Sequence, residues 1–288
     1  MEKWPNFFIV GAPKAGTTSL YNYLKTNPEI YMSALKEPHY FAPELSAKMH
    51  TKPIRDRTEY LSLFEGAKNQ IVIGEGSTRY LQDPNAAALI HQAASTARII
   101  IILRDPVERA FSDYLMFAYR HASKLRVQKI MKMNFDDSDL NIPIKEILDA
   151  GYYFEQVQRY LRSFGLEQVK IFVYEEFIRH TEEKVEEALR FLGVNQKITD
   201  FQDKVHNPFI VPRLPFAFSI INSGLVSRMA QRLIPTTSRL YLREKILTKK
   251  ADKPKMAEED RIYLQNLYRD DVQKLRDLLG RSLPWPNF

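Results

Sequence analysis

The 288-residue chain contains no cysteine. That excludes disulfides, thiolate metal sites and cysteine nucleophiles, and fits a reducing compartment. No run approaches the ~20 apolar residues needed to span a bilayer. The opening Met1-Glu2-Lys3-Trp4-Pro5 leads into only a short apolar run, which does not read as a signal peptide, so the expected location is the cytoplasm. Neither zinc-finger spacing nor an RNA-binding signature occurs, and no nucleic-acid partner is expected. Internal repeats, low-complexity linkers and a clear domain boundary are also missing. One domain over 1–288 is expected, with 205–255 as a candidate lid or flap.

What is present is an ordinary globular composition, 44% hydrophobic and 27% charged, with 17 Phe and 15 Tyr to fill a sizeable core. The net charge of +7 favours an anionic partner such as a polyphosphate cofactor, an acidic polysaccharide or anionic lipid, or is simply a soluble surface.

Apolar runs mark strands at 7–10, 71–75, 98–104 and 169–174, with a shorter one at 30–32. The run Ile99-Ile100-Ile101-Ile102-Leu103 is continuous, as expected of a strand buried on both faces of a parallel sheet. Helical patterns fall between the strands, at 17–25, 59–64, 85–94, 106–120, 143–150, 153–164 and 181–192. Others follow at about 216–233, 237–247 and 257–279. Alternation of this kind predicts an α/β fold, a P-loop-like central parallel sheet flanked by helices, with a mostly helical C-terminal part.

The stretch Phe7-Phe8-Ile9-Val10-Gly11-Ala12-Pro13-Lys14-Ala15-Gly16-Thr17-Thr18-Ser19-Leu20 reads as strand, glycine-bounded loop and helix start. Such a turn aims backbone N–H groups and a helix N-terminus at one spot, which suits an anion. Gly11 and Gly16 have the spacing of a nucleotide P-loop, but Thr17 stands where that motif has lysine, and the lysine lies inside the loop at Lys14. A Walker site also needs an aspartate for Mg²⁺ after an apolar strand. The best such strand ends in Arg104-Asp105-Pro106, where Asp105 is better placed as a helix N-cap and Pro106 as the first helical residue. The loop therefore reads as built for a phosphate-like anion with no metal expected. Arg104, at the carboxyl end of a central strand, and Ser112, eight residues on, are candidates for a second anion.

Together, Pro-Lys-Ala-Gly-Thr-Thr-Ser and Leu-Arg-Asp-Pro-Val-Glu-Arg-Ala-Phe-Ser-Asp-Tyr resemble the sulfotransferases that use 3′-phosphoadenosine 5′-phosphosulfate (PAPS). The resemblance is strongest to the heparan-sulfate branch and its bacterial relatives, and covers roughly residues 6–192. It implies that Lys14, Ala15, Gly16, Thr17, Thr18 and Ser19 cradle the 5′-phosphosulfate, and that Arg104 and Ser112 hold the 3′-phosphate. Lys36-Glu37-Pro38-His39-Tyr40-Phe41 is similar to the family segment that carries a glutamate base, which makes Glu37 the candidate base and His39 a weaker candidate beside it. The loop Gly74-Glu75-Gly76-Ser77-Thr78-Arg79-Tyr80 corresponds to one facing the acceptor, giving Ser77, Thr78 and Tyr80 as substrate candidates. Gly151-Tyr152-Tyr153 resembles a family helix start with a tyrosine near the site, which adds Tyr153. Lys204, Asn207 and Arg213 occupy the place of a cofactor-closing loop, and His206 is a second acid/base candidate.

The implied reaction is transfer of a sulfuryl group from PAPS to a hydroxyl, less favourably an amine, of a carbohydrate or small-metabolite acceptor. Adenosine 3′,5′-bisphosphate is the second product. A polyketide or lipid acceptor is the rival within the family. Outside it, a P-loop kinase acting on a small substrate and a non-catalytic anion-binding protein are the alternatives.

Overall fold

The structure is a computed structural model that describes residues 4–121, 143–195, 198, 210–212, 248–250 and 253–288. Five strands form one sheet: β1 (Phe7–Gly11), β2 (Ile30–Met32), β3 (Val72–Gly76), β4 (Arg98–Leu103) and β5 (Val169–Val173), in the order β2-β3-β1-β4-β5. Every pairing in it is parallel. All five residues of β1 are buried, as are Ile99–Leu103 of β4, which is the packing of strands covered on both faces.

The helices between them are α1 (Thr17–Lys25), α2 (Pro43–Lys48), α3 (Arg57–Ser62), α4 (Ala86–Ala93), α5 (Pro106–His121), α6 (Ile144–Asp149), α7 (Tyr153–Phe164), α8 (Tyr174–Arg179) and α9 (Thr181–Phe191). A short antiparallel pair follows, β6 (Ile210–Pro212) with β7 (Thr248–Lys250), and then α10 (Glu258–Leu279). Sequence patterning placed the parallel sheet and most of these helices to within two residues. It missed α2 and α8, both of six residues, which are too short to show an amphipathic period. The expected helices at 216–233 and 237–247 lie outside the described residues.

By contacts the chain divides into two compact units. One comprises 1–110, 145–206 and 264–288; the other comprises 111–144 and 207–263. The units interleave along the chain, which is why no linker composition marks them. The first unit holds the whole five-stranded sheet. In the second, β6 pairs with β7 and the Lys253 ammonium lies 5.0 Å from the centre of the Phe111 ring.

Chain direction in the sheet places five loops at one edge. Beyond the carboxyl ends of β1, β2, β3, β4 and β5 come Lys14, Glu37, Ser77, Arg104 and Tyr174. In open parallel sheets, ligands bind at that edge, near the strand from which connections run both ways. Here that strand is β1, with β3 on one side and β4 on the other. At its end Gly11 permits a close approach: a β-carbon there would lie 2.5 Å from Leu81 Cβ and 3.1 Å from the Thr78 carbonyl oxygen. Any larger residue would push the loop after β3 off the end of β1.

Candidate active site

The loop after β1 turns into α1 at Gly16, which caps the helix with φ +82° and no side-chain hydrogen bond to the first turn. The first turn of α1 therefore offers its backbone donors without a competing side-chain acceptor. Lys14 also sits in the left-handed region, at φ 65°. For a residue with a β-carbon that conformation costs on the order of 1–2 kcal/mol, and it is held here by neighbouring contacts. One of those is the Arg104 guanidinium, whose Nη1 donates to the Lys14 carbonyl at 2.9 Å. Thr17 is buried, while Thr18 and Ser19 are half-buried at the helix start.

Arg104 is fixed on three sides. Besides the Lys14 carbonyl, its guanidinium carbon lies 4.6 Å from the centre of the Tyr174 ring, a stacked cation–π contact. Its backbone carbonyl accepts the Tyr153 hydroxyl at 3.0 Å. Its Nε is buried without a hydrogen-bond partner among the described residues. A guanidinium with an unused buried donor, beside a lysine loop and a helix start, is the donor set a phosphate would complete. Tyr174 also covers Gly16: a β-carbon there would stand 3.0 Å from Tyr174 Cδ2. Tyr174 is the residue the sequence reading missed. Its only signal is position, the first residue past β5.

Glu37 lies on the β2–α2 loop. Lys36 Nζ donates to its Oε1 at 2.8 Å, Thr78 Oγ1 donates to the same oxygen at 3.3 Å, and His39 Nε2 stands 3.7 Å from Oε2. Burial pushes its acidity toward the neutral form, but the hydrogen bonds and charges of His39 and Lys36 outweigh this and hold the carboxyl well below the ordinary carboxylate range. Glu37 is thus ionised at any working pH. About a third of its side chain remains exposed, so it is reachable. The pairing with Lys36 expected of a purely structural loop glutamate and the ionised state required of a base are both present. Glu37 and His39 also adopt left-handed backbone angles, φ 60° and 56°.

Three candidates are buried with their hydroxyls already engaged. Tyr153 is fully buried and its hydroxyl is spent on Arg104, so it positions that residue. Burial pushes its phenol further up, away from ionisation. The Ser77 hydroxyl, also fully buried, donates to Glu75 Oε2 at 2.8 Å and accepts the His39 N–H at 3.1 Å. The buried Tyr80 oxygen accepts the Phe41 N–H at 3.3 Å. Thr78 of that loop reaches the Glu37 carboxylate, and the Gly76 carbonyl accepts the Glu37 N–H at 3.0 Å. Ser112 follows Arg104 on α5, which begins at Pro106 under the expected cap: Asp105 Oδ1 accepts from Val107 N at 2.9 Å and Glu108 N at 3.4 Å. Lys204, His206, Asn207 and Arg213 lie outside the described residues. No cluster of three or more metal-ligating side chains occurs among the described residues.

The parallel sheet thus carries Lys14 after its first strand, Glu37 after its second and Arg104 after its fourth, at the edge where α/β sheets bind ligands. The chain matches the sulfotransferase domain family over residues 5–277 and belongs to that family. A sulfotransferase of known structure from Alicyclobacillus acidocaldarius is 29% identical and superposes with a TM-score of 0.67, the match covering 98% of each chain. Carbohydrate sulfotransferase 15 of Mus musculus is 28% identical over 245 residues, which is 66% of this chain and 44% of that protein. Heparan sulfate glucosamine 3-O-sulfotransferase 3B1 of the same species is 23% identical over 285 residues, 99% of this chain and 65% of that protein. The chain thus spans less than half the length of the first of these two relatives and under two thirds of the second.

Proposed function

We propose that this protein transfers a sulfuryl group from PAPS to a hydroxyl of a carbohydrate or small-metabolite acceptor. The observation that carries the reading is the tie between Arg104 and the Lys14 loop, which brings a guanidinium to the loop and helix start after β1, with ionised Glu37 hydrogen-bonded to Thr78 beyond β3. PAPS supplies an activated sulfuryl group on a good leaving phosphate. The residues present fit it: Lys14 and the backbone N–H groups of Gly16 to Thr18 for the 5′ end, and Arg104 with its unused Nε for the 3′-phosphate. Ser112 is assigned to the same phosphate on the motif alone.

In the reaction, Glu37 accepts the acceptor's hydroxyl proton as that oxygen bonds to sulfur. The bond from sulfur to the bridging phosphate oxygen breaks in line. Lys14 and the α1 N–H groups stabilise the charge that grows on the departing oxygen, an interaction stronger in the transition state than before it. Adenosine 3′,5′-bisphosphate then leaves. No metal is assigned a role. A cytoplasmic setting suits a chain without cysteine, and is part of the proposal.

A thermal-shift titration with adenosine 3′,5′-bisphosphate beside ATP–Mg²⁺ tests the reading. At 100 times its dissociation constant the bisphosphate should stabilise the fold by about 2.7 kcal/mol. A shift with ATP–Mg²⁺ alone would point to a kinase, and no shift with either would remove the donor site.

A further inference from the structure

Glu75 is a fully buried carboxylate that the mechanism does not use. It lies one residue before the end of β3, behind the base loop. The Tyr60 hydroxyl donates to its Oε1 at 3.0 Å and the Ser77 hydroxyl to its Oε2 at 2.8 Å. Ser77 in turn accepts the backbone N–H of His39. That bond is one of three that strap the base loop to the β3 end at alternate residues: Glu37 N to the Gly76 carbonyl at 3.0 Å, His39 N to Ser77 Oγ, and Phe41 N to Tyr80 Oη. Two of the three acceptors, Ser77 and Tyr80, are themselves hydrogen-bonded to Glu75, and Ser77 is the one that takes the His39 N–H.

We propose that Glu75 is a positioning residue for the base: through Ser77 it fixes the His39 N–H, and with it the turn that presents Glu37 to the acceptor. This rests on Glu37 being the base. An ionised Glu75 requires Ser77 to point its proton at Oε2 and so leaves the Ser77 lone pairs to His39. A protonated Glu75 can itself donate, which releases Ser77 to turn and loosens the left-handed segment at Glu37 and His39. Burial pushes Glu75 up to about 7, against the opposing hydrogen bonds of Tyr80, Ser77 and Tyr60 and with the help of the Glu37 charge. The groups facing it are Tyr21 of α1, Tyr60 of α3, Tyr80 on its own loop, Tyr160 of α7 and Glu37. Burial holds all four phenols neutral, and Glu37 stays ionised.

The test uses the whole chain labelled with ¹⁵N-histidine, which carries six such residues, and follows the His39 amide proton across pH 5 to 9. The His39 signal is assigned by its loss in His39→Gln. The expected result is a titration of that amide with a midpoint near 7 that disappears in Glu75→Gln and in Ser77→Ala. A titration that persists unchanged in either variant would overturn the proposal, as would a wild-type amide that does not move. Should Glu75→Gln fail to fold, Ser77→Ala cuts the same link and leaves the carboxylate in place. The amide reports geometry without turnover, so a protein that ignores adenosine 3′,5′-bisphosphate would remove the sulfotransferase reading and leave this result standing.

Discussion

Asn287 closes on Asp105 across 182 residues of sequence: its side-chain amide donates to Asp105 Oδ2 at 2.8 Å and its backbone N–H to the same oxygen at 3.2 Å. The other carboxylate oxygen caps α5. Beside them Glu175 accepts the Asp105 N–H at 3.1 Å and the Trp285 indole N–H at 3.1 Å. The segment 285–287 therefore buttresses the turn that follows Arg104. Asn287→Ala leaves a buried carboxylate oxygen with one donor fewer. The expected cost is about 1–3 kcal/mol, read as a lower urea midpoint, together with a smaller thermal shift from adenosine 3′,5′-bisphosphate.

Arg104→Lys should not preserve donor binding. A lysine ammonium cannot both stack on Tyr174 and present a fork to the Lys14 carbonyl and a phosphate. Loss of a charge-assisted bond of about 1.5–3 kcal/mol predicts a roughly 10- to 100-fold weaker Kd for the bisphosphate by calorimetry. Tyr174→Leu keeps the fork and loses only the stack, so its loss should be nearer threefold to tenfold. Equal affinities for Arg104→Lys and the wild type would remove Arg104 from the phosphate site.

Glu37→Gln and Lys14→Ala should separate. Glu37→Gln removes the proton acceptor and leaves the donor site, so turnover is expected to fall by about 10²–10⁴ with the bisphosphate affinity unchanged. Lys14→Ala should lower both, because the same ammonium meets the donor in the ground state and the departing oxygen in the transition state. Since Glu37 is ionised well below its ordinary range, the acid limb of the pH–rate profile should not carry its signature. Rapid-quench turnover with labelled PAPS and a responsive acceptor measures both variants.

Much of this was legible in the sequence because it depends on near neighbours. The glycine spacing and the displaced Lys14 fixed the kind of anion loop, and the unbroken apolar run of β4 gave the buried central strand. The Asp105-Pro106 start of α5 was likewise readable as a local cap. What escaped depends on partners far apart in the chain. Tyr174 meets Gly16 and Arg104 only because β5 lies beside β4 in the sheet. Ser77 and Tyr80 read as acceptor-facing loop residues until the β2–α2 loop folds back on them and engages their hydroxyls. Glu75 closes a run that reads as a buried strand, but its partners Tyr60 and Tyr80 come from a distant helix and the following loop, so its hydrogen bonds do not show in the sequence.

The two carboxylates of this wall should leave opposite marks on stability. Glu37 has its folded value depressed, so its contribution is present above its ordinary range and is lost as the pH falls from that range toward the depressed value. Glu75 has its folded value raised from 4.5 to about 7, so between those limits the native state binds the proton that the unfolded chain has released. Raising the pH across that window therefore destabilises the native state, by up to about 3 kcal/mol if this group acted alone. Glu75→Gln removes the titration whatever it costs in hydrogen bonding. The difference in unfolding free energy, variant minus wild type, should become more positive between pH 5 and pH 8, and flatten above that. Urea melts at three pH values measure it. A difference that stays constant across the range would mean that Glu75 keeps one charge state in both folded and unfolded chains.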